Sequence, residues 1–135
     1  MKIRPFLGLG RDSRGAAAVE FAVLVPVLLA MVIGVTQLGV LFFANAGLRN
    51  AVNEGARYAT IWPQPTDAQI KTKMATGQFG LDARYLSTPT LASGTDAGAR
   101  YVEITATYDV PLNFVFYKPA AVKLTETRRA YVQGS

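Results

Sequence analysis

The sequence predicts an α+β protein: a long N-terminal transmembrane helix continuing into a small domain with a short helix and a roughly three-stranded antiparallel sheet. Three observations lead there. Residues 21–48 contain no charged side chain across 28 positions, where about 20 suffice to cross a bilayer as a helix. Beyond them Leu48, Val52, Gly55, Ala59 and Trp62 recur at spacings of four and three, the period of a helical face. Further on, Val102, Ile104, Ala106, Tyr108 and Val110 alternate with Tyr101, Glu103, Thr105, Thr107 and Asp109, the period of a half-buried strand.

Residues 1–15 read as a basic leader. Lys2, Arg4, Arg11 and Arg14 are opposed there only by Asp12, and removing them from totals of 14 basic and 9 acidic residues leaves ten and eight. The basic balance is therefore partly a targeting feature, and no nucleic-acid partner is expected. Lys and Arg beside a span stay on the cytoplasmic side, so the N-terminus is predicted in the cytoplasm and the C-terminal domain across the membrane. A secretory signal would have an apolar core of about 7–15 residues followed by a small-residue cleavage site. Here the run is longer and no such site follows, which predicts a retained anchor with the lipid bilayer as a partner.

The helix is expected over 16–61. Its apolar part, 16–48, would be about 50 Å long at 1.5 Å per residue, against about 30 Å of hydrocarbon, so it must tilt, project, or both. Pro26 lacks an N–H and predicts a kink over 22–26. Ala30 and Gly34 form a small-xxx-small pair that permits close helix contact. Glu20 stands at the start of the apolar run, where a charge is costly. It is either a carboxylate snorkelling to the interface or a residue with a partner. The outer half, with Asn45, Arg49, Asn50, Asn53, Glu54 and Arg57, is amphipathic. Gly47, Ala51, Gly55 and Ala59 lie four apart; since mid-helix glycine costs about 1 kcal/mol against alanine, a packing reason is expected. Glu54 and Arg57 are spaced for a weak same-helix ion pair, either a solvated face or a partner contact.

A domain over 62–135 follows. Trp62-Pro63-Gln64-Pro65 ends the helix. Thr66 with Gln69 three later has capping-box spacing, predicting a short helix over 67–76 with Ile70 and Met74 on one face, Lys71 and Lys73 towards water, and Gly77 closing it. Residues 85–91 make a poor strand broken by Pro89, suited to an edge, and 93–98 read as a turn. The best strand is 101–110; 122–132 is the last, with Arg128-Arg129 interrupting its pattern. Between them 111–119 carries Phe114, Phe116 and Tyr117, which either fill the core or form an exposed patch near a membrane or a partner; core filling is the safer expectation in so small a domain. The sheet is expected to pack across the outer half of the long helix, because neither buries enough surface alone.

Catalytic chemistry is not expected. The chain has no histidine and no cysteine, which excludes Ser-His and Cys-His dyads, most catalytic zinc sites and any disulfide. Gly8, Gly10 and Gly15 precede no strand–turn–helix unit, so no phosphate loop is supported. Carboxylates are scattered, and Ser87 and Ser93 have no base. No enzyme activity, cofactor or metal is expected.

Arg14-Gly15 followed by Ala16-Ala17-Ala18-Val19-Glu20-Phe21 resembles the prepilin-peptidase junction of type IV pilins and pseudopilins, in which cleavage follows the glycine and a glutamate lies fifth after the cut. More closely, residues 11–59 resemble the TadE/TadG-like minor pilins of tight-adherence (Flp, type IVc) pilus systems. The resemblance is carried by Arg11-x-x-Arg14-Gly15 leading to Ala18-Val19-Glu20-Phe21-Ala22, by the helix with Pro26, and by Asn53-Glu54-Gly55-Ala56-Arg57-Tyr58-Ala59. It implies a pilin-like fold and a pseudopilin cut between Gly15 and Ala16. Glu20 and Phe21 would then serve in peptidase recognition, and Glu20 in pairing with the new amino group of Ala16 on a neighbouring subunit. The implied partners are a prepilin peptidase, other pilin subunits and inner-membrane Tad assembly proteins. The implied setting is a bacterial inner membrane, with pilus incorporation for attachment and biofilm formation. The alternative is an uncleaved single-pass anchor presenting a periplasmic protein-binding domain.

Overall fold

The computed structural model describes residues 13–115 and 117–132. The leader residues Lys2, Arg4, Arg11 and Asp12, the side chain of Arg14, and Phe116 of the aromatic connection lie outside the described residues. Among the described residues the order is α1 (Ser13–Ala59), α2 (Asp67–Gly77), β1 (Thr90–Asp96), β2 (Ala99–Val110) and β3 (Val122–Val132). The strands form one antiparallel sheet in the order β1-β2-β3. The chain divides into two compact units, Met1–Thr36 and Gln37–Ser135.

In the first unit, residues 13–36 are helical and run through Pro26 unbroken. Their large side chains, Phe21, Leu24, Leu28 and Val32 among them, are exposed. The core helix of a soluble protein of this apolarity would be buried, and none of the most apolar stretch of α1 is. Thr36 donates its hydroxyl to the Val32 carbonyl at 2.8 Å. This hydroxyl is thereby satisfied inside the helix, as a hydrocarbon environment requires.

The second unit is built on residues 37–59 of α1. Its core joins Ala44, Leu48, Val52 and Ala59 of α1 with Ile70 and Met74 of α2 and the inward face of β2: Val102, Ile104, Ala106, Tyr108 and Val110. The alternation read in β2 is the one observed, and the sheet covers the outer half of α1. The expected apolar face of α1 stops short of Trp62, which is 66% exposed. The helix ends at Ala59 and a turn of Thr60 and Ile61 N–H groups onto Arg57 and Tyr58 carbonyls leads the chain away before Pro63.

The capping box of α2 forms as read: Gln69 N–H donates to the Thr66 hydroxyl at 3.4 Å and Thr66 N–H to Gln69 Oε1 at 2.9 Å. Gly77 closes α2 by proximity, not by a left-handed conformation. Glu54 carbons lie 3.1 Å from where a Gly77 Cβ would stand, and the Gly77 carbonyl accepts from Asn50 Nδ2 at 2.6 Å. Lys73 faces water as expected, whereas Lys71 is half-buried.

One reading of the sheet is corrected. The segment 93–98 is not a turn: β1 continues to Asp96, and only Ala97 and Gly98, with φ of 47° and 82°, make the reversal. Two successive positive φ values match the twist of the paired strands, so composition overstated the loop. Gly94 is tolerated in β1 because the ring of its cross-strand partner Tyr101 occupies the space a side chain would take. The poor strand at 85–91 is split at Pro89: Leu86 makes an isolated bridge to Tyr108, and Thr90 and Leu91 open β1, an edge strand of the sheet as expected.

Arg128 and Arg129 interrupt the burial alternation of β3, as read, but not the strand itself. Arg129 is on the outer face opposite Glu103, to which it donates at 2.5 Å. Arg128 shares the inward side with Glu126, whose carboxylate stands 3.6 Å from both Arg128 Nε and Arg49 Nε of α1. Inward charges on an edge strand discourage further strand pairing. The outer face continues with a Thr105–Thr127 hydroxyl pair at 2.9 Å.

Before the Leu86 bridge, Asp82 accepts from the Arg84 backbone N–H at 3.0 Å and from its guanidinium at 2.6 Å. These bonds hold its carboxyl below the ordinary 3.8, at about 2, the guanidinium bond being the largest cause. A depressed folded value means that the pair's contribution is complete above the ordinary value and is lost as pH falls through about 2. A carboxyl titration by NMR is therefore expected to show an Asp82 midpoint near 2. A midpoint at the ordinary value would mean that the Arg84 pair does not form in solution.

Candidate functional site

The residues singled out by sequence fall into two groups along α1. The first lies in unit 1. The Gly15–Ala16 bond lies within α1, which is described from Ser13 onward. An added Cβ at Gly15 would meet nothing within 4 Å; no contact described in the chain requires glycine there. Glu20 and Phe21 are exposed, and Glu20 has no ion-pair partner among the described residues. Pro26 and Ala30 are likewise exposed, and Gly34 has open space where a Cβ would stand.

The second group, in unit 2, is built into the fold. Gly55 is buried against Met74, which an added Cβ would strike. Ala56 packs on the core. Glu54 and Arg57 pair at 3.4 Å with the arginine largely exposed, a contact worth tenths of a kcal/mol at most. Asn53 faces outward. The stem motif is thus accounted for chiefly by the close approach of α2 to α1, as the small residues four apart anticipated.

Sequence reading passed over Gln37. Its side-chain amide donates to the Asn113 carbonyl at 2.8 Å and accepts from Asn113 N–H at 3.3 Å. The available signal was an amide within an otherwise apolar run. This clasp positions the aromatic connection, where a second expectation fails. Leu112 packs on the core and Phe114 is half-buried, but Tyr117 is exposed, as is Val115, beside the Phe114–Tyr117 bridge; Phe116 lies outside the described residues.

A family model described as TadE-like protein matches residues 15–57. This segment is similar to that family. The match opens on Gly15, closes on Arg57 and covers about a third of the chain, within the 11–59 stretch on which the resemblance rests. The exposed apolar helix within the matched stretch is compatible with a membrane anchor. No match was found among curated proteins, and none among solved structures.

Proposed function

We propose that the chain is a non-enzymatic minor pilin, or pseudopilin, of a Tad pilus system, cut after Gly15 by a prepilin peptidase. In this reading it sits in a bacterial inner membrane with its N-terminus cytoplasmic and its small domain periplasmic. It takes part in pilus assembly through packing of its long helix with other subunits. The observation that carries the reading is the Gly15–Glu20 spacing at the head of a TadE-like helix whose apolar side chains are exposed. Neither residue has a described contact that explains it within the chain. After the cut, Glu20 would pair with the α-amino group of Ala16 on a neighbouring subunit. Opposite charges attract strongly in a low-dielectric bundle, and that pairing would set the stagger between helices.

Intact mass after co-expression with an active prepilin peptidase tests this. The expected result is loss of the mass of residues 1–15, abolished by blocking the peptidase. Glu20→Ala is expected to insert into membranes but to lose maturation or pilus formation. An unchanged mass beside a demonstrably active peptidase overturns the proposal and leaves a tethered single-pass protein-binding domain.

A further inference from the structure

The sheet has two edges, and they are guarded unequally. Strand β3 carries Arg128 beside Glu126 on its inner side, and Lys123 and Arg129 on its outer side. Charges on an edge strand, inward ones above all, hinder pairing with another chain. Strand β1 has no such device. Thr90–Asp96 contains no lysine, arginine or proline, and its one charge, Asp96, stands at its last position. Its register on β2 runs from Thr90↔Thr105 to Asp96↔Ala99 without a bulge. Ala92, Ser93, Thr95 and Asp96 are exposed. Being outermost in the order β1-β2-β3, the strand leaves one side open. Among the described residues, no backbone hydrogen bond outside the sheet engages it. It is also braced: the Tyr101 ring lies over Gly94, and the Tyr131 hydroxyl of β3 reaches across β2 to donate to Asp96 at 3.4 Å.

We infer that β1 is a contact between two copies of this chain, whose β1 strands pair antiparallel about Ser93 and join two three-stranded sheets into one. A free strand edge is a row of alternating N–H and C=O groups, so its occupant is another extended backbone. Of the two edges that a second copy offers, β3 is guarded and β1 is not; β1 on β1 is the pairing to which neither side brings a lysine or arginine. A two-fold at Ser93 is the register that matches the whole strand. It sets Thr90 opposite Asp96, Leu91 opposite Thr95, Ala92 opposite Gly94, and Ser93 opposite its own copy. No like charges face each other, and the residues nearest the axis are small. The pairing also closes, because it uses up β1 on both copies and leaves a guarded β3 at each end, so it yields a dimer and not a fibre. The contact is independent of cleavage, of the membrane anchor and of the pilus.

One strand pair is a small contact beside the roughly 800 Å² per partner of a standard interface, so covalent trapping in the full, detergent-solubilised chain is the test. The chain has no cysteine, and each introduced thiol therefore reports its own position. Residues directly opposite in an antiparallel pair have Cα atoms about 4.5–5.5 Å apart, inside the range of about 4.4–6.8 Å that a disulfide spans. Under mild oxidation Ser93→Cys is expected to form disulfide dimers several-fold faster than Thr90→Cys or Asp96→Cys alone, whose like positions lie about 20 Å apart in this register. Mixed T90C and D96C chains should cross-link to each other, a readout that does not need position 93 altered. Adding Ser93→Lys to both should abolish that cross-link, because like charges directly opposite repel. Dimers that form equally at all three single positions, or that survive S93K, report collision or contact elsewhere and overturn the β1 pair. No dimer from S93C and none from the T90C–D96C mixture also overturns it. In membranes of the expressing cells, an S93C adduct with a different polypeptide in place of the dimer means that another chain's strand takes the edge, and overturns it as well.

Discussion

Replacing Ile104 with alanine is expected to lower the stability of the soluble unit by about 2–5 kcal/mol. Ile104 is fully buried at 0% exposure, on the central strand and in the cluster that joins β2 to Leu48 and Val52 of α1. Truncation removes apolar contacts and leaves a cavity that two elements would have to close on together. Helix α1 is held by its own hydrogen bonds and β2 by two neighbouring strands, so neither can collapse far. A small unit has little reserve, typical domains being stable by about 5–15 kcal/mol in total. Thermal unfolding of the detergent-solubilised chain, followed by near-ultraviolet circular dichroism, reads the loss of tertiary packing. A change below about 1 kcal/mol would be that of an ordinary surface substitution, and would mean that the helix–sheet contact is not what holds the unit.

Gly47→Ala is expected to destabilise by about 1–3 kcal/mol, the range for overpacking, although alanine is favoured over glycine inside a helix by about 1 kcal/mol. An added Cβ at Gly47 would collide with the Phe79 carbonyl oxygen. That atom is backbone and cannot rotate aside as a side chain can. The turn that holds it is fixed by Gly80, at a φ of 64°, with the Phe43 ring packed where a Gly80 side chain would stand. Gly34→Ala is the matched control. Nothing lies within 4 Å of its added Cβ, so the same melt should be unchanged. A stability loss at Gly47 absent at Gly34 confirms a packing role for the outer glycine. A stabilised G47A chain would show that Phe79 does not approach α1 in solution. Any defect of G34A confined to assembled material would arise between chains, where the small-xxx-small pair with Ala30 would act.

Wherever a residue's role depended on its own neighbours in sequence, it was legible. The Thr66–Gln69 box depends on a spacing of three, and the inward face of β2 on a period of two; both stand as read. The uncharged run predicted a spanning helix because hydrocarbon selects on composition. The junction around Gly15 and Glu20 was legible by resemblance, not by physics, and the TadE-like match falls on the same stretch.

Boundaries and pairings were harder, because they depend on atoms far away in sequence. Ser93 and Gly94 read as loop by composition, yet belong to a strand because β2 offers a hydrogen-bonding edge and Tyr101 fills the space over the glycine. Arg128 and Arg129 break the alternation of β3 as read, but their carboxylate partners Glu126 and Glu103 were not legible. The aromatic connection looked like core because its composition is apolar, yet Tyr117 is exposed while Phe114 is half-buried, and its tie to Gln37, 76 residues away, has no local signal. By itself, then, the sequence determined the elements, their order and the membrane-compatible helix, since periodicity and hydrophobicity act locally. The tertiary structure alone decided which glycines are packed, which charges are paired and which aromatics face out, since those depend on contacts that exist only once the sheet lies on the helix.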